Sequence, residues 1–202
     1  MTVISGVRSD VCLEYANTLS WRGSAAPTER LHNFADLLRW IELSAGVPPR
    51  ALRENRAWAR EHSAKAIKLF DEAIATRETI YRIFSILADG EPVREQDFAA
   101  LRDAVAETPA RRQLVRSEAT YAWRIDDLRP TVAHLLAPVL WSAGDLMLNL
   151  TYVRVRRCAN EKCLWLFMDR SKAGTRRWCD MASCGNRAKA RRHYGRIKHA
   201  QL

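Results

Sequence analysis

Apolar residues recur at intervals of three and four through the first 110 positions, which is the period of amphipathic helices. The pattern predicts four helices: one after Asp10, one from about Asn33, a long one over residues 50–88, and one after Pro92. Glycine and proline separate them, as where Gly46 is followed within three residues by two prolines. This part of the chain is therefore predicted to be mainly helical.

The period of the apolar positions changes after Pro109. Residues 113–117 and 120–125 are rich in β-branched and aromatic side chains, which predicts a two-stranded hairpin. Residues 130–150 are apolar on almost every side, as expected for the central buried helix of a domain. Pro138 is expected to kink that helix, because proline removes a backbone donor and crowds the preceding turn.

Residues 152–156 alternate as a strand and lead directly into Cys158 without a flexible linker. We therefore expect a helical domain over residues 1–150 and, docked rigidly against it, a small module over residues 151–202. The predicted fold class is mostly α with a small β component (α+β), in which the helical N-terminal domain includes a β-hairpin.

Four of the five cysteines form two equally spaced pairs, Cys158-x4-Cys163 and Cys179-x4-Cys184, with fifteen residues between the pairs. Two close pairs of thiols suit a tetrahedral zinc ion. Because four thiolates fill the coordination shell, no position stays open for water or substrate, and a structural Zn²⁺ is predicted. Disulfides and free thiols are the alternatives for these cysteines.

Other residues near the chain ends bear on this zinc prediction. His193 and His199 are alternative ligands, although a basic helix would leave them exposed. Cys12 lies on an apolar helix and is expected to be a buried core thiol.

The N-terminus lacks the pattern of a secretory signal, and the longest apolar run is far below the roughly 20 residues that cross a bilayer. A cytoplasmic location, where thiols stay reduced, is expected.

The C-terminal module has a predictable order of elements. Cys158 to Cys163 would form a polar knuckle between the strand at 152–156 and the apolar strand at 164–168. A turn follows, and Asp180 is placed to cap a helix that begins near residue 181 and carries Cys184 in its first turns. A knuckle, a hairpin and a ligand-bearing helix together resemble a treble-clef zinc module.

The net charge of +10 is concentrated in the C-terminal quarter of the chain. Residues 151–202 hold 14 lysines and arginines against three acidic residues, whereas residues 1–150 are close to neutral. Basic side chains nearly encircle the helix after Cys184, which predicts phosphate contacts with a nucleic acid, DNA before RNA. A solvated basic tail, or an acidic protein partner, is the alternative. The predicted contact residues are Arg176, Arg177, Asn186, Arg187, Lys189, Arg191, Arg192 and Arg196.

Several motifs resemble a known pair of families. Residues 184–187, Cys-Gly-Asn-Arg, together with Cys158-x4-Cys163 and the Arg-Arg-Trp-Cys run at 176–179, are similar to the bacterial CGNR zinc finger. Residues 12–22 and 36–40 resemble the ABATE domain that accompanies this finger. The resemblance implies a family of proposed stress-induced transcription regulators and covers nearly the whole chain. Glu14 stands where the family pattern has aspartate.

The resemblance also indicates a shared polar cluster made of Asn17, Thr18, Trp21 and Arg22, which is a candidate pocket for a small-molecule effector. The alternative is that these residues cap a helix and brace a loop. No nucleophile with its base, paired carboxylates or phosphate-binding glycine loop stands out, so no catalytic residue and no enzyme activity are expected. The predicted function is that of a zinc-binding, DNA-binding transcription regulator, with the oligomeric state open.

Overall fold

The structure, a computed structural model, describes residues 1–5, 7–117 and 120–191 of the chain. Most of these residues are helical, and the sheets are small. The helices are α1 (Val11–Ala16), α2 (Phe34–Ser44), α3 (Arg53–Glu61), α4 (Ser63–Ala88), α5 (Glu95–Ala106), α6 (Val132–Leu135) and α7 (Ala137–Leu148). A 3-10 turn at Pro49–Leu52 precedes α3, and a single π-helical turn at Met181–Gly185 leads into an α-helical segment at 186–191.

The strands form three small antiparallel sheets. They are β1 (Thr2–Ser5), β2 (Leu19–Ser20), β3 (Thr28–Glu29), β4 (Gln113–Ser117), β5 (Thr120–Ile125), β6 (Arg154–Arg157) and β7 (Leu166–Asp169). The sheet orders are β1-β5-β4, β2-β3 and β6-β7. The predicted hairpin is confirmed as β4-β5, with Leu114 opposite Trp123. β1, which the apolar pattern did not indicate, adds a third strand by pairing Thr2 with Ile125.

The core lies where α1 packs against both α4 and α7. Tyr15 of α1, Phe84 of α4 and Leu140 of α7 are fully buried in it. The prediction that residues 130–150 form a helix buried all round holds for its centre, since residues 135–143 are all buried, but not for its end, where Leu148 is 83 % exposed. The helix divides into α6 and α7 at Leu136, two residues before Pro138. The fold class is thus the predicted one.

The single long helix predicted over residues 50–88 is wrong. The segment divides into the 3-10 turn, α3 and α4, with His62 between the helices at φ −129° and ψ 53°. The carbonyl of Trp58 accepts the backbone N–H of His62 at 2.9 Å, and the two rings stack at 5.3 Å. A one-residue break leaves the apolar residues on both sides in phase, so periodicity alone does not reveal it.

The described helices include none that is long and apolar enough to cross a membrane.

Candidate zinc centre and basic face

The first cysteine pair sits in a tight knuckle between β6 and β7. Cys158 follows the end of β6, and its N–H donates to the carbonyl of Trp165 at 2.8 Å. The N–H of Cys163 donates to the carbonyl of Asn160 at 2.7 Å, which closes the knuckle. Leu164 then turns the chain back toward β7 with a left-handed φ of 57°. The predicted knuckle is confirmed, and it brings Cys163 back toward Cys158.

The second pair is placed by a capped helical start. Asp180 accepts the N–H of Ser183 at 2.8 Å, so the predicted N-cap is confirmed, and Cys184 lies in the π turn that follows. The chain before Cys179 is tied to the knuckle because Ala159 donates its N–H to the carbonyl of Arg177 at 2.9 Å. These bonds hold the second pair of thiols against the first.

The four sulfur atoms, those of Cys158, Cys163, Cys179 and Cys184, lie within 4.8 Å of one another. Tetrahedral zinc with Zn–S bonds of about 2.3 Å separates its sulfurs by about 3.8 Å. The Sγ atoms of Cys163 and Cys179 are 3.7 Å apart, which matches that edge. Both the donor chemistry and the spacing therefore fit a zinc ion held by four protein thiolates.

The protonation behaviour of the thiols also calls for a cation. Hydrogen bonding from Cys163 and Cys179 lowers the pKa of the Cys158 thiol. Conversely, hydrogen bonding to Cys158 raises the pKa of the Cys163 and Cys179 thiols. Like charges this close oppose one another, so four thiolates coexist only around a positive ion. When bound, Zn²⁺ supplies that charge and cross-links the two pairs.

A polar side chain lies directly behind the sulfurs. The Nδ2 group of Asn160, whose side chain is buried, donates to the Sγ atom of Cys184 at 3.5 Å. Its Oδ1 atom accepts the N–H of Lys162 at 3.2 Å, which orients the amide. Asn160 therefore fixes one thiolate as well as the knuckle turn, as partners behind metal ligands commonly do.

Asp169 is a structural residue that the sequence reasoning did not single out. Its carboxylate accepts hydrogen bonds from the Ser171 hydroxyl at 2.6 Å, from the Arg176 N–H at 3.0 Å and from the Arg156 guanidinium at 2.9 Å. These donors lower the pKa of Asp169 to about 2, and the hydrogen bond from Ser171 has the largest effect. The Asp-x-Ser spacing, which is typical of side-chain-bonded turns, is the sequence signal that could have revealed this role.

The predicted nucleic-acid contacts differ in how far other protein groups bind their side chains. The guanidinium of Arg176 is bound by groups of the module itself, because it donates to the carbonyls of Trp178 and Cys179 and lies over the ring of Phe167. Arg177, Lys189 and Arg191 are exposed, and in the described part of the chain none of the three forms an ion pair. These three residues are called the basic face below.

The remaining predicted contacts are partly engaged. Arg187 lies over the ring of Trp21, with its guanidinium carbon 4.6 Å from the ring centre. Asn186 is exposed and donates to the carbonyl of Ala182 at 3.1 Å. Arg192 and Arg196, and the alternative ligands His193 and His199, lie outside the described residues.

Comparison with known protein families matches residues 9–149 to ABATE, a family described as "Putative stress-induced transcription regulator". The chain belongs to the ABATE family. Residues 154–197 match a second family, the CGNR zinc finger. Together with the sulfur geometry, this match identifies the C-terminal module as a zinc-binding finger with a structural zinc ion. No curated protein matches the chain.

The residues proposed as an effector pocket in the ABATE region are placed at its junction with the CGNR finger. The Asn17 amide donates to the carbonyl of Leu166 at 2.8 Å and accepts the N–H of Leu166 at 3.0 Å, so it pairs with β7 as a strand residue would. Gly23 lies so close to the knuckle that an added Cβ would be 1.8 Å from the carbonyl oxygen of Glu161. Trp21, with a left-handed φ of 56°, makes the turn between them.

The other two residues of that cluster bind within the helical region. Arg22 forms a bidentate ion pair with Glu78, at 2.6 and 3.0 Å, and its guanidinium stacks 3.8 Å above the ring of Tyr81. Thr18 donates to the carbonyl of Tyr15 and accepts from Arg77. Protein groups thus engage the polar atoms of Asn17 and Thr18 and the two terminal nitrogens of Arg22, whereas the buried Nε of Arg22 has no hydrogen-bond partner among the described residues. The bracing alternative fits these contacts, and a ligand pocket made of these residues stays a prediction.

Two further contacts fasten the CGNR finger to α4. The Tyr81 hydroxyl donates to the carbonyl of Leu164 at 3.0 Å, and Arg157 forms a bidentate pair with Asp89 at 2.8 Å. Because Tyr81 of α4 holds the knuckle and Asp89, the C-cap residue of α4, holds β6, the finger is seated on the ABATE region, as the missing linker led us to expect.

Proposed function

We propose that this chain is a DNA-binding transcription regulator whose CGNR finger grips the phosphate backbone through its basic face. The observation that carries the proposal is that Arg177, Lys189 and Arg191 are exposed and without ion pairs among the described residues. They belong to the segment that holds the whole positive excess of the chain. Lysine and arginine side chains that protein carboxylates leave unpaired are available to phosphates.

Zinc has a structural role in this proposal. Four thiolates close the coordination shell, so the ion shapes the finger and leaves no position for substrate. The chain is accordingly proposed to be a binding protein and not an enzyme. Arg176 is proposed to act indirectly, because its guanidinium braces the backbone next to Cys179.

An acidic protein partner or an RNA is the second candidate for the basic face. Its support is the same exposed positive charge, since an acidic protein surface also neutralises arginine and lysine. The candidates differ in salt dependence and in their preference for a duplex. Protein partners lack the condensed counterions whose release makes nucleic-acid binding fall steeply with salt.

The test is a titration of the zinc-loaded chain with a random duplex DNA at 50 to 300 mM salt. The logarithm of the binding constant should fall linearly with the logarithm of the salt concentration. The variant Lys189→Ala/Arg191→Ala should flatten the slope by roughly 1.8, since each lost phosphate contact removes about 0.9. The charge-matched control Arg39→Ala/Arg53→Ala changes two exposed arginines of the helical region and should leave the slope unchanged.

Absence of DNA binding at 50 mM salt would refute the proposal. Equal loss of slope in the control and the test variant would show that net charge, and not the basic face, governs binding. Tighter binding to duplex RNA of the same sequence would favour the RNA alternative. Once backbone binding is established, selection from random duplex DNA would identify any target sequence.

A further inference from the structure

A cavity of about 630 Å³ opens on the ABATE region between α2, α3 and α4. Its volume lies within the range of small-molecule sites. Ile67 at its edge is 64 % exposed, which is high for a large aliphatic side chain. The apolar side chains that line it are Phe34, Leu38, Ala59, Ala66, Ile67 and Phe70.

The cavity is built around the interruption between α3 and α4. Arg60, just before His62, and Ser63, just after it, both line the cavity. Trp58 holds α3 in position because its ring packs against Phe34, at 6.3 Å between centroids, and stacks on His62. These two ring contacts hold α3 against α2 and against the interruption, so the cavity between them is part of the folded architecture.

Arg60 and the beginning of α2 both line the cavity. The contact of Phe34 with Trp58 places the beginning of α2 beside the end of α3. In the first turn of α2 the Oδ1 atom of Asn33 accepts the N–H of Asp36 at 2.9 Å, and the Asp36 carboxylate accepts the N–H of His32. The N–H groups of Phe34 and Ala35, which line the cavity, have no acceptor among the described residues and lie at the positive end of the helix dipole. His32 and Arg60, both exposed, line the same cavity. Asp71 on α4 is the acidic residue of the lining.

The two arginines that line the cavity differ in whether a protein carboxylate pairs with them. Arg56 forms an ion pair with Glu42 and donates to the carbonyl of Pro49 at 3.3 Å, so its charge is used within the protein. Arg60 has no ion pair among the described residues. An apolar cavity with a free guanidinium and a helix start suits a ligand that combines an apolar body with a single negative charge.

We propose that this cavity binds an organic anion with an apolar body, namely an aliphatic or aromatic carboxylate. Arg60 and the first turn of α2 receive the carboxylate, and the apolar walls cover its body. The site is separate from the CGNR finger and does not depend on whether the finger binds DNA. Its lining includes none of the residues Asn17 to Arg22 at the junction.

The test uses the fluorescent apolar anion 8-anilinonaphthalene-1-sulfonate with the zinc-loaded full chain. The dye should bind one site and be displaced by decanoate. Decanol and decylammonium, which have the same apolar body, should displace it at least about five-fold more weakly because they lack the negative charge. Equal displacement by all three compounds would overturn the anion assignment, and failure of decanoate to displace the dye would overturn the site.

Two variants locate the site, each with a matched control. Arg60→Ala should weaken displacement by decanoate about three-fold without affecting decanol, whereas Arg53→Ala on the same helix should change neither. Ile67→Gln should weaken both ligands about five-fold by removing apolar contact. Leu43→Gln is the control, since Leu43 is 74 % exposed and is not part of the cavity lining. Equal effects in a variant and its control would overturn the location.

Self-association is the competing explanation for the exposed apolar wall. If a second copy of the chain covers the cavity, bound dye per chain should fall as protein concentration rises, in step with dimer formation in sedimentation experiments. That result would overturn the small-molecule proposal. Constant dye binding per chain over a hundred-fold range of protein concentration would support it.

Discussion

Cys12 and Cys184 are both buried, but Cys12 is a core thiol and Cys184 is a zinc ligand, because the groups around their sulfur atoms differ. Cys12 is completely buried on α1, and burial raises the pKa of its thiol to about 12. Cys184 is also buried, yet it lies within 4.8 Å of three other sulfurs and accepts from Asn160. Burial alone therefore does not distinguish a core thiol from a zinc ligand. The neighbours of the sulfur atom decide its role.

Replacement of these two cysteines should affect zinc very differently. Cys184→Ser should reduce bound zinc from one per chain to well below one, because a neutral hydroxyl is a poor fourth ligand. Cys12→Ser should keep one zinc per chain while lowering the free energy of unfolding, since it places a hydroxyl in the core. Zinc content is measured by release to a chromophoric chelator. Full zinc content in Cys184→Ser would contradict the four-thiolate site.

Arg77 shows how a buried charge is accommodated in the helical region. Its side chain is almost fully buried and forms a bidentate pair with Glu29 at 2.7 Å for both bonds. Burial acts to raise the pKa of Glu29, but hydrogen bonds from Arg77 outweigh it, and the net effect lowers the pKa below its usual 4.5. Stability from this pair is therefore present above about pH 4.5 and is lost as the pH falls below it.

Glu29→Gln should consequently lower the free energy of unfolding by roughly 2 kcal/mol at pH 7, because Arg77 loses its charged acceptor. The difference from the natural chain should shrink as the pH falls below about 4.5, because Glu29 is then protonated in the unfolded chain while its lowered pKa opposes protonation in the folded one. Urea unfolding at pH 7, 5 and 4 measures it. Glu54→Gln, an exposed change, is the control. A difference independent of pH would show that the ion pair is not its source.

At the scale of elements, close contacts between segments decide which residues fit. The turn at Trp21 to Gly23 presses against the zinc knuckle, and the N–H of Gly23 donates to the carbonyl of Lys162 at 3.3 Å. Gly144, in the middle of α7, has no atom within 4 Å of the position that a Cβ would take. A side chain is therefore excluded at Gly23 by the neighbouring backbone, whereas there is space for one at Gly144.

Alanine at these two positions should have effects of opposite sign. Gly23→Ala should destabilise the chain by roughly 2 kcal/mol, because the Cβ meets backbone of the knuckle that cannot move aside cheaply. Gly144→Ala should stabilise it by about 0.5–1 kcal/mol, since alanine favours helix and restricts the unfolded chain. Thermal unfolding of both variants provides the comparison. Destabilisation of similar size in both would contradict the close approach.

For the whole molecule, the junction makes zinc a support for both parts. Asn17, Tyr81 and Arg157 tie the knuckle and its hairpin to the helical region. If removal of zinc loosens the knuckle, these bonds lose their partners, and α1 and α4 lose contacts in turn. Metal binding that depends on the folded state contributes directly to the free energy of folding.

Removal of zinc by a strong chelator should therefore lower the melting temperature by about 10 °C or more. It should also speed amide hydrogen exchange in α1 and at the end of α4, besides the finger itself. The chain with Cys184→Ser, treated in the same way, is the control and should respond little. Faster exchange confined to residues 154–191 would show that the two parts are not coupled.

The sequence by itself determined the zinc ligands, the mainly helical class, the β4-β5 hairpin and the cap at Asp180. These features follow from local spacing or composition, which leave a pattern along the chain. Only the tertiary structure revealed the break at His62, the third strand β1 and the commitments of Asn17, Arg22 and Arg176. The strand pairing of β1 and the bonds of Asn17 and Arg22 depend on partners distant in sequence, the break at His62 on a single backbone angle, and the bonds of Arg176 on the local path of the chain at Trp178 and Cys179. None of these alters the period of apolar residues.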